Sequence, residues 1–239
     1  MLVKNDLFDY ENRYIFQDSD FFKFSLDSIL LAEYVNIPPK KVKILDMCAG
    51  NMAIPLILSK YTSSPIVGFE IQKRVAELGD KSVEINGLSH QLEIINDDVK
   101  NLGNYFSNEY FDIMVCNPPY FKYNKSEDRV INAKEELKYA RHEISITLED
   151  FFILARKYLV NKGSLYLVHR ADRLDEIIAL GFKYQIYAKN VQLITTKKMG
   201  KPYIVLAKCV KNSKPGIKFN CELCVDGVKS YQQIFKEES

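Results

Sequence analysis

No run of the 239-residue chain is apolar over the roughly 18 residues that a membrane span requires. The N-terminal Met1-Leu2-Val3-Lys4-Asn5-Asp6 also lacks the long apolar core of a secretory leader. The expectation is a soluble, cytoplasmic protein with no membrane contact. Net charge is nearly absent: 33 lysines and arginines against 31 acids leave a formal +2. The chain as a whole therefore demands no polyanionic partner, and charge has to be read region by region. Cysteines are few and odd in number. Cys48, Cys116, Cys209, Cys221 and Cys224 make no disulfide framework, and the first two sit in apolar runs that read as buried strand ends. Cys221 and Cys224 form one C-x-x-C pair with no second pair nearby to complete a tetrahedral site, so no metal is expected. Internal repeats and low-complexity tracts are missing as well.

What is present is the pattern of an α/β fold. Short β-branched runs at 43–47, 66–69, 92–95, 111–116 and 164–169 read as strands, and segments of helical period at 52–61, 74–86 and 147–159 lie between them. Asn86-Gly87 supplies a stop for the second helix. After a further helix at 172–180, two strands at 183–188 and 203–210 follow with no helix between them, which predicts an antiparallel pair at the end of a mostly parallel sheet. The residues before 43 suffice for a small cap with a helix at 28–34, so the expected organisation is one domain over 1–239 with 1–42 as its cap. The polar segment 121–144 is longer than connections usually are, and such loops are commonly lids or disordered.

The chemistry gathers at the strand ends. The first strand runs out through Asp46-Met47-Cys48-Ala49-Gly50-Asn51, where an α/β sheet binds ligands and where glycine lets a backbone approach them. The second ends in Glu70, at about the spacing of roughly 20 residues at which nucleotide-binding folds present an acid to ribose hydroxyls. The third runs into Asp97-Asp98, either of which can accept a hydrogen bond from an adenine amine. A capping turn and a solvated acid at a helix start are the plainer readings of Gly50 and Glu70 taken singly. The fourth strand delivers Asn117-Pro118-Pro119-Tyr120. Two prolines fix the backbone in an extended, rigid shape. That rigidity suits methylation of a planar amine, whose lone pair is delocalised and attacks poorly. The Asn117 side-chain carbonyl and the Pro118 backbone carbonyl can each accept an amino hydrogen and turn the lone pair toward a methyl group, while Tyr120 can stack on a base.

This ordered set resembles the class I S-adenosylmethionine-dependent methyltransferases. More narrowly, the chain resembles the bacterial tRNA (adenine-N6) methyltransferases that modify the adenosine 3′ to the anticodon of valine tRNA. The closer match rests on Phe24-Ser25-Leu26-Asp27-Ser28, Ala140-Arg141-His142-Glu143, His169-Arg170 and Lys214-Pro215-Gly216 beside the tetrapeptide. The resemblance implies a doubly wound, seven-stranded sheet with one antiparallel strand. It implies that Asp46, Gly50, Glu70 and Asp98 bind S-adenosylmethionine, and that 117–120 hold the target base. Ser25 and Asp27, ahead of a short helix, and Cys48, Asp97 and Asn117 complete the candidate cofactor contacts; Asp27 can equally serve as a helix cap. The turn departs from the superfamily by carrying Cys48, Gly50 and Met52 where three glycines are common.

Between residues 189 and 220 there are eight lysines and no acid, which reads as a footprint for phosphates, with a solvated lysine-rich face as the alternative. Lys197, Lys198 and Lys201, with Arg141, are the candidate RNA contacts. An anticodon loop presents unpaired bases, so tRNA is the expected partner, and no obligate protein partner is evident. The rivals are glutamine-N5 methylation of release factors, guanine-N2 methylation of ribosomal RNA, and a non-catalytic RNA-binding relative.

Overall fold

A computed structural model describes residues 2–7, 13–18, 26–118, 120 and 146–227. Ser25, Pro119, Arg141 and the segment 121–144, singled out above, lie outside the described residues.

The chain opens with an antiparallel hairpin, β1 (Leu2–Asp6) and β2 (Tyr14–Asp18), followed by α1 (Leu26–Tyr34). The cap therefore holds a hairpin that the sequence pattern does not announce as well as the helix it does. Seven strands then build the doubly wound sheet: β3 (Ile44–Asp46), β4 (Ile66–Phe69), β5 (Leu92–Ile95), β6 (Phe111–Cys116), β7 (Leu159–Arg170), β8 (Ile186–Thr195) and β9 (Ile204–Lys211). Two-residue strands β10 (Lys218–Phe219) and β11 (Leu223–Cys224) extend the edge, and the order is β10-β8-β9-β7-β6-β3-β4-β5, with β11 also on β8. β9 runs antiparallel between β7 and β8, so β8 and β9 are the expected antiparallel pair toward this end of the sheet.

The helices α2 (Ala53–Leu58), α3 (Lys73–Ile85), α4 (Leu148–Tyr158) and α5 (Leu174–Lys183) connect the strands. In α3 the buried positions Val75, Ala76, Leu78, Gly79, Ser82 and Val83 recur at helical spacing, and the helix stops at Asn86 before Gly87 with φ +67°. α4 starts with a capping box, the Thr147 hydroxyl accepting from Asp150 N–H while the Asp150 carboxylate accepts from Thr147 N–H. Two apolar clusters cover the two faces of the sheet, one gathering α1 and α2, the other α4 and α5. The hairpin is tied to α3: Phe16 N–H donates to Ser82 Oγ at 2.9 Å and Tyr14 N–H to Asn86 Oδ1 at 3.0 Å.

Two strand starts lie about three residues or more from the sequence reading. β7 begins five residues earlier than expected, because Lys162 at φ +65° lets the chain turn and remain in the ladder. Residues 183–185 close α5 and its turn, since the amphipathic period continues past Leu180, and β8 starts only at Ile186. Parallel pairing brings the ends of β3, β4, β5, β6 and β7 to one edge of the sheet, and every candidate site residue of the central strands lies along it.

Candidate active site

The turn after β3 is built by close approach. Met52 sits at φ +70°, a left-handed conformation that costs a non-glycine residue about 1–2 kcal/mol. Its fully buried side chain fills the space over Gly68 and Gly79, where an added Cβ would meet Met52 Sδ at 2.6 Å and Cγ at 3.1 Å respectively. The departure from a three-glycine turn is thus compensated by glycines in β4 and α3. Gly50, at φ +54°, has open space on its Cβ side.

Asp46 ends β3 with 0% exposure. Its Oδ1 accepts from Cys48 N–H at 3.3 Å, and its Oδ2 has no partner among the described residues. Burial pushes its carboxyl up to about 7, opposed by the Cys48 amide and reinforced by the Glu70 charge. Glu70 is 8% exposed; one oxygen accepts from Gly50 N–H at 3.1 Å and the other from Gln72 N–H at 2.8 Å. Burial raises its carboxyl too, against those same backbone bonds. A carboxylate has about four acceptor positions, so Glu70 keeps lone pairs for a ligand while holding the turn in place. The Cys48 thiol reaches the buried Cys116 thiol, which burial holds well above its usual range.

After β5, Asn96 Nδ2 donates to Glu70 O at 2.8 Å and to Ile71 O at 3.2 Å, clamping the two strand ends together. Asp97 is taken up by its own turn, accepting from Asn101 Nδ2, Tyr105 hydroxyl and Asp98 N–H, which hold its carboxyl below the usual range. Asp98 accepts from Lys100 N–H at 2.9 Å through Oδ1, while its Oδ2 has the Lys100 ammonium at 3.8 Å. Ile71, 47% exposed, offers apolar surface beside Glu70. Neither Asn96 nor Ile71 stands out in the sequence, since a lone amide and a lone aliphatic carry no pattern.

The end of β6 meets the first turn of α1. Asn117 Nδ2 donates to Ser28 Oγ at 2.9 Å, and the Tyr120 hydroxyl lies 2.7 Å from Asn117 Oδ1 and 2.8 Å from Asp27 Oδ2. One phenolic proton serves two acceptors, and the charged carboxylate is the stronger. Asn117 Oδ1, with two lone pairs, therefore has acceptor capacity to spare. Asp27 lies within the helix, not ahead of it, so its carboxylate is engaged by Tyr120. The Tyr120 ring packs on His169 at 5.3 Å between centroids, and burial with the Asp27 charge holds its hydroxyl protonated. His169 ends β7 fully buried; Nδ1 accepts from Arg170 N–H at 2.8 Å, and burial lowers the imidazole to about 4, so it is neutral.

The lysine block divides. Lys197, Lys198 and Lys201 are exposed in the β8–β9 connection, next to the end of β7 along the same sheet edge. Lys211 is buried on Glu109 and Leu159 O, and Lys189 is held by the carbonyls of Lys214 and Gly216. Those two serve the fold.

Residues 23–142 match the family model described as the methyltransferase small domain. The chain belongs to that family. Among curated relatives it is 25% identical over 238 residues to a tRNA1(Val) (adenine(37)-N6)-methyltransferase of Bacteroides thetaiotaomicron, covering 98% of this chain and 96% of that one. A predicted O-methyltransferase from Agrobacterium tumefaciens superposes with a TM-score of 0.64 at 20% identity, over 83% of this chain and 87% of the other. M. jannaschii TYW2 in complex with AdoMet superposes with a TM-score of 0.58 at 14% identity, over 88% and 86%. This methyltransferase thus has the class I fold, with its acids and its Asn-Pro-Pro-Tyr segment on the ligand-binding edge of the sheet.

Proposed function

We propose that the methyltransferase uses S-adenosylmethionine to methylate the exocyclic N6 amine of adenosine in tRNA, at the nucleotide 3′ to the anticodon of valine tRNA. The observation that carries the reading is the Asn117 side-chain amide at the end of β6, whose nitrogen donates to Ser28 and whose oxygen faces the Tyr120 hydroxyl. The relative from Bacteroides thetaiotaomicron bears this activity in its name and matches along nearly its whole length. The protein works as one domain over 1–239 with 1–42 as cap, in the cytoplasm, without an obligate protein partner.

The residues present fit the cofactor. Asp46 Oδ2 is a buried acceptor with no partner among the described residues, Gly50 leaves open space, and Glu70 keeps acceptor positions free. Asp46 and Glu70 would hold it, with Ile71 against its adenine and Asp98 accepting from the adenine amine; Ser25, Asp27, Cys48 and Asp97 are left with supporting roles around that pocket. When bound, it supplies a methyl group on a positively charged sulfur that departs as a neutral thioether.

Asn117 Oδ1 accepts one hydrogen of the target amine and the Pro118 carbonyl accepts the other, which draws the nitrogen toward a tetrahedral shape. Asp27, by accepting the Tyr120 hydroxyl's hydrogen bond, leaves that carbonyl available. His169 stays neutral and takes no proton; the proton lost from the methylated nitrogen goes to water. No side-chain nucleophile is required, so catalysis is positioning and electrostatics. Pro119 and Tyr120 shape the base site, and Lys197, Lys198, Lys201 and Arg141 hold phosphates. Incubation with methyl-labelled S-adenosylmethionine and bulk tRNA is expected to label the RNA; label appearing in protein instead would refute the reading.

A further inference from the structure

A cavity of about 360 Å³ opens on the α1 face of the sheet, between the C-terminal half of α1 and strands β7, β8 and β9. That volume lies in the range of small-ligand pockets. Its floor is Leu30, Leu206 and the rings of Tyr34 and Tyr166, which meet edge to face at 6.1 Å. Its rim is made of amides: Asn36, Asn190, Gln192 and Asn220. Among the described residues, the side chains of Asn36, Asn190 and Asn220 make no hydrogen bond, and Gln192 makes only one, at 3.4 Å to Cys221 O. The Tyr34 hydroxyl is buried beneath the lining beside the Lys208 backbone, and burial keeps it protonated, so Tyr34 offers the cavity its ring.

The groups that a ligand in the cavity would pair are therefore the rim amides. Charge narrows the class. Lys208, whose ammonium lies over the Tyr166 ring at 5.4 Å, is balanced by Glu33 on the same lining. A phosphate would call for clustered cations, and a hydrocarbon would leave the amides unpaired. Amides that present donor and acceptor side by side, over aromatic rings, complement the edge and face of a nucleobase.

α1 joins this cavity to the active site. Asp27 and Ser28 in its first turn hold Tyr120 and Asn117, and Tyr34 at its end lines the cavity. The six helical steps from Ser28 to Tyr34 span about 9 Å. We infer that this cavity receives a second unpaired base of the same RNA whose adenosine enters at Asn117, so that α1 measures the spacing between the two. The inference rests on the RNA substrate proposed above.

The test is steady-state methylation of an anticodon stem-loop by the wild type, Asn220→Leu and Asn190→Leu, with loop nucleotides other than the target replaced one at a time by abasic residues. A bidentate amide–base pair is worth about 1–3 kcal/mol, or about 5- to 150-fold. Asn190→Leu is expected to raise KM for the RNA about 10-fold with kcat within twofold, and Asn220→Leu to raise it severalfold. One abasic position should reproduce the rise in the wild type and add nothing in Asn190→Leu. Unchanged KM in both variants overturns the inference. So does adenosine, titrated alone, binding the wild type and not Asn190→Leu while their RNA KM values agree, because the cavity then serves a free nucleoside. If the wild type methylates no RNA, the substrate reading fails first, and equal RNA affinity of wild type and variants in filter binding overturns the cavity's role on its own.

Discussion

The Tyr120 hydroxyl sits 2.8 Å from Asp27 Oδ2, joining the end of β6 to the first turn of α1 across 93 residues of sequence. With the Asn117–Ser28 bond beside it, the cap helix becomes part of the base site. Asp27→Asn keeps the shape but removes the charge that draws the phenolic proton away from Asn117. We expect kcat to fall about 10-fold with cofactor affinity unchanged, since hydrogen bonds to charged groups contribute about 1.5–3 kcal/mol. Asn117→Ala removes the acceptor itself and should cost at least about 100-fold in kcat, the scale of a lost transition-state hydrogen-bonding group, again with cofactor binding intact. Calorimetric cofactor titration alongside steady-state rates separates the two quantities; full activity in Asn117→Ala would place the catalytic centre elsewhere.

Asp46 makes cofactor binding depend on pH. Its folded-state carboxyl lies at about 7 against an ordinary value of 3.8, so folding favours the protonated form. Its contribution to stability is complete below about pH 4 and is lost as the pH rises through about 7. A ligand carrying a sulfonium and an ammonium favours the ionised form, so affinity for S-adenosylmethionine should rise between about pH 6 and pH 8 and then level off. Asp46→Asn should bind more weakly above neutrality, lose most of that slope, and unfold at a higher temperature than the unliganded wild type at about pH 8. An unchanged slope in the variant would remove Asp46 from the cofactor site.

Met52→Gly sets two effects against each other. Relief of the left-handed backbone returns about 1–2 kcal/mol, while deletion of a fully buried methionine costs about 2–5 kcal/mol. The cavity term wins, because Gly68 and Gly79 leave nothing to fill the space. Denaturant unfolding should show the variant less stable by about 2 kcal/mol, the difference between the middles of those two ranges. A variant as stable as the wild type would mean that the turn repacks.

Much of this was legible in the sequence, for identifiable reasons. β4 and β6 fell where their apolar runs lie, because strands with neighbours on both sides read as nearly continuous hydrophobic segments, and β5, at the sheet edge, was marked by Leu92, Ile94 and Ile95. The positions of Asp46, Glu70 and Asn117 at strand ends followed from those runs. The β1–β2 hairpin was not legible: its residues owe their pairing to Ser82 and Asn86 on α3, a tertiary contact that leaves no local period. Nor was the division of the lysine block, since only the fold distinguishes Lys211, buried on Glu109, from Lys197 in an exposed connection. The Asp27–Tyr120 bond was equally hidden, because in sequence an acid ahead of an apolar helix looks like a cap.

That division predicts which lysines matter for RNA. Replacing Lys197, Lys198 and Lys201 together by Gln should weaken RNA binding and flatten its dependence on salt, by about one unit of slope for each phosphate no longer neutralised. kcat at saturating RNA should hold. Filter binding between about 50 and 200 mM salt reads the slope, and an unchanged slope would move the phosphate-binding face elsewhere on the molecule.

The central claim is methyl transfer to the N6 amine of an adenosine held at Asn117. Its most direct test is a nucleoside digest of tRNA after incubation with the protein and methyl-labelled S-adenosylmethionine. The account predicts label in N6-methyladenosine, from valine tRNA and absent with Asn117→Ala; label recovered in a methylguanosine would contradict it.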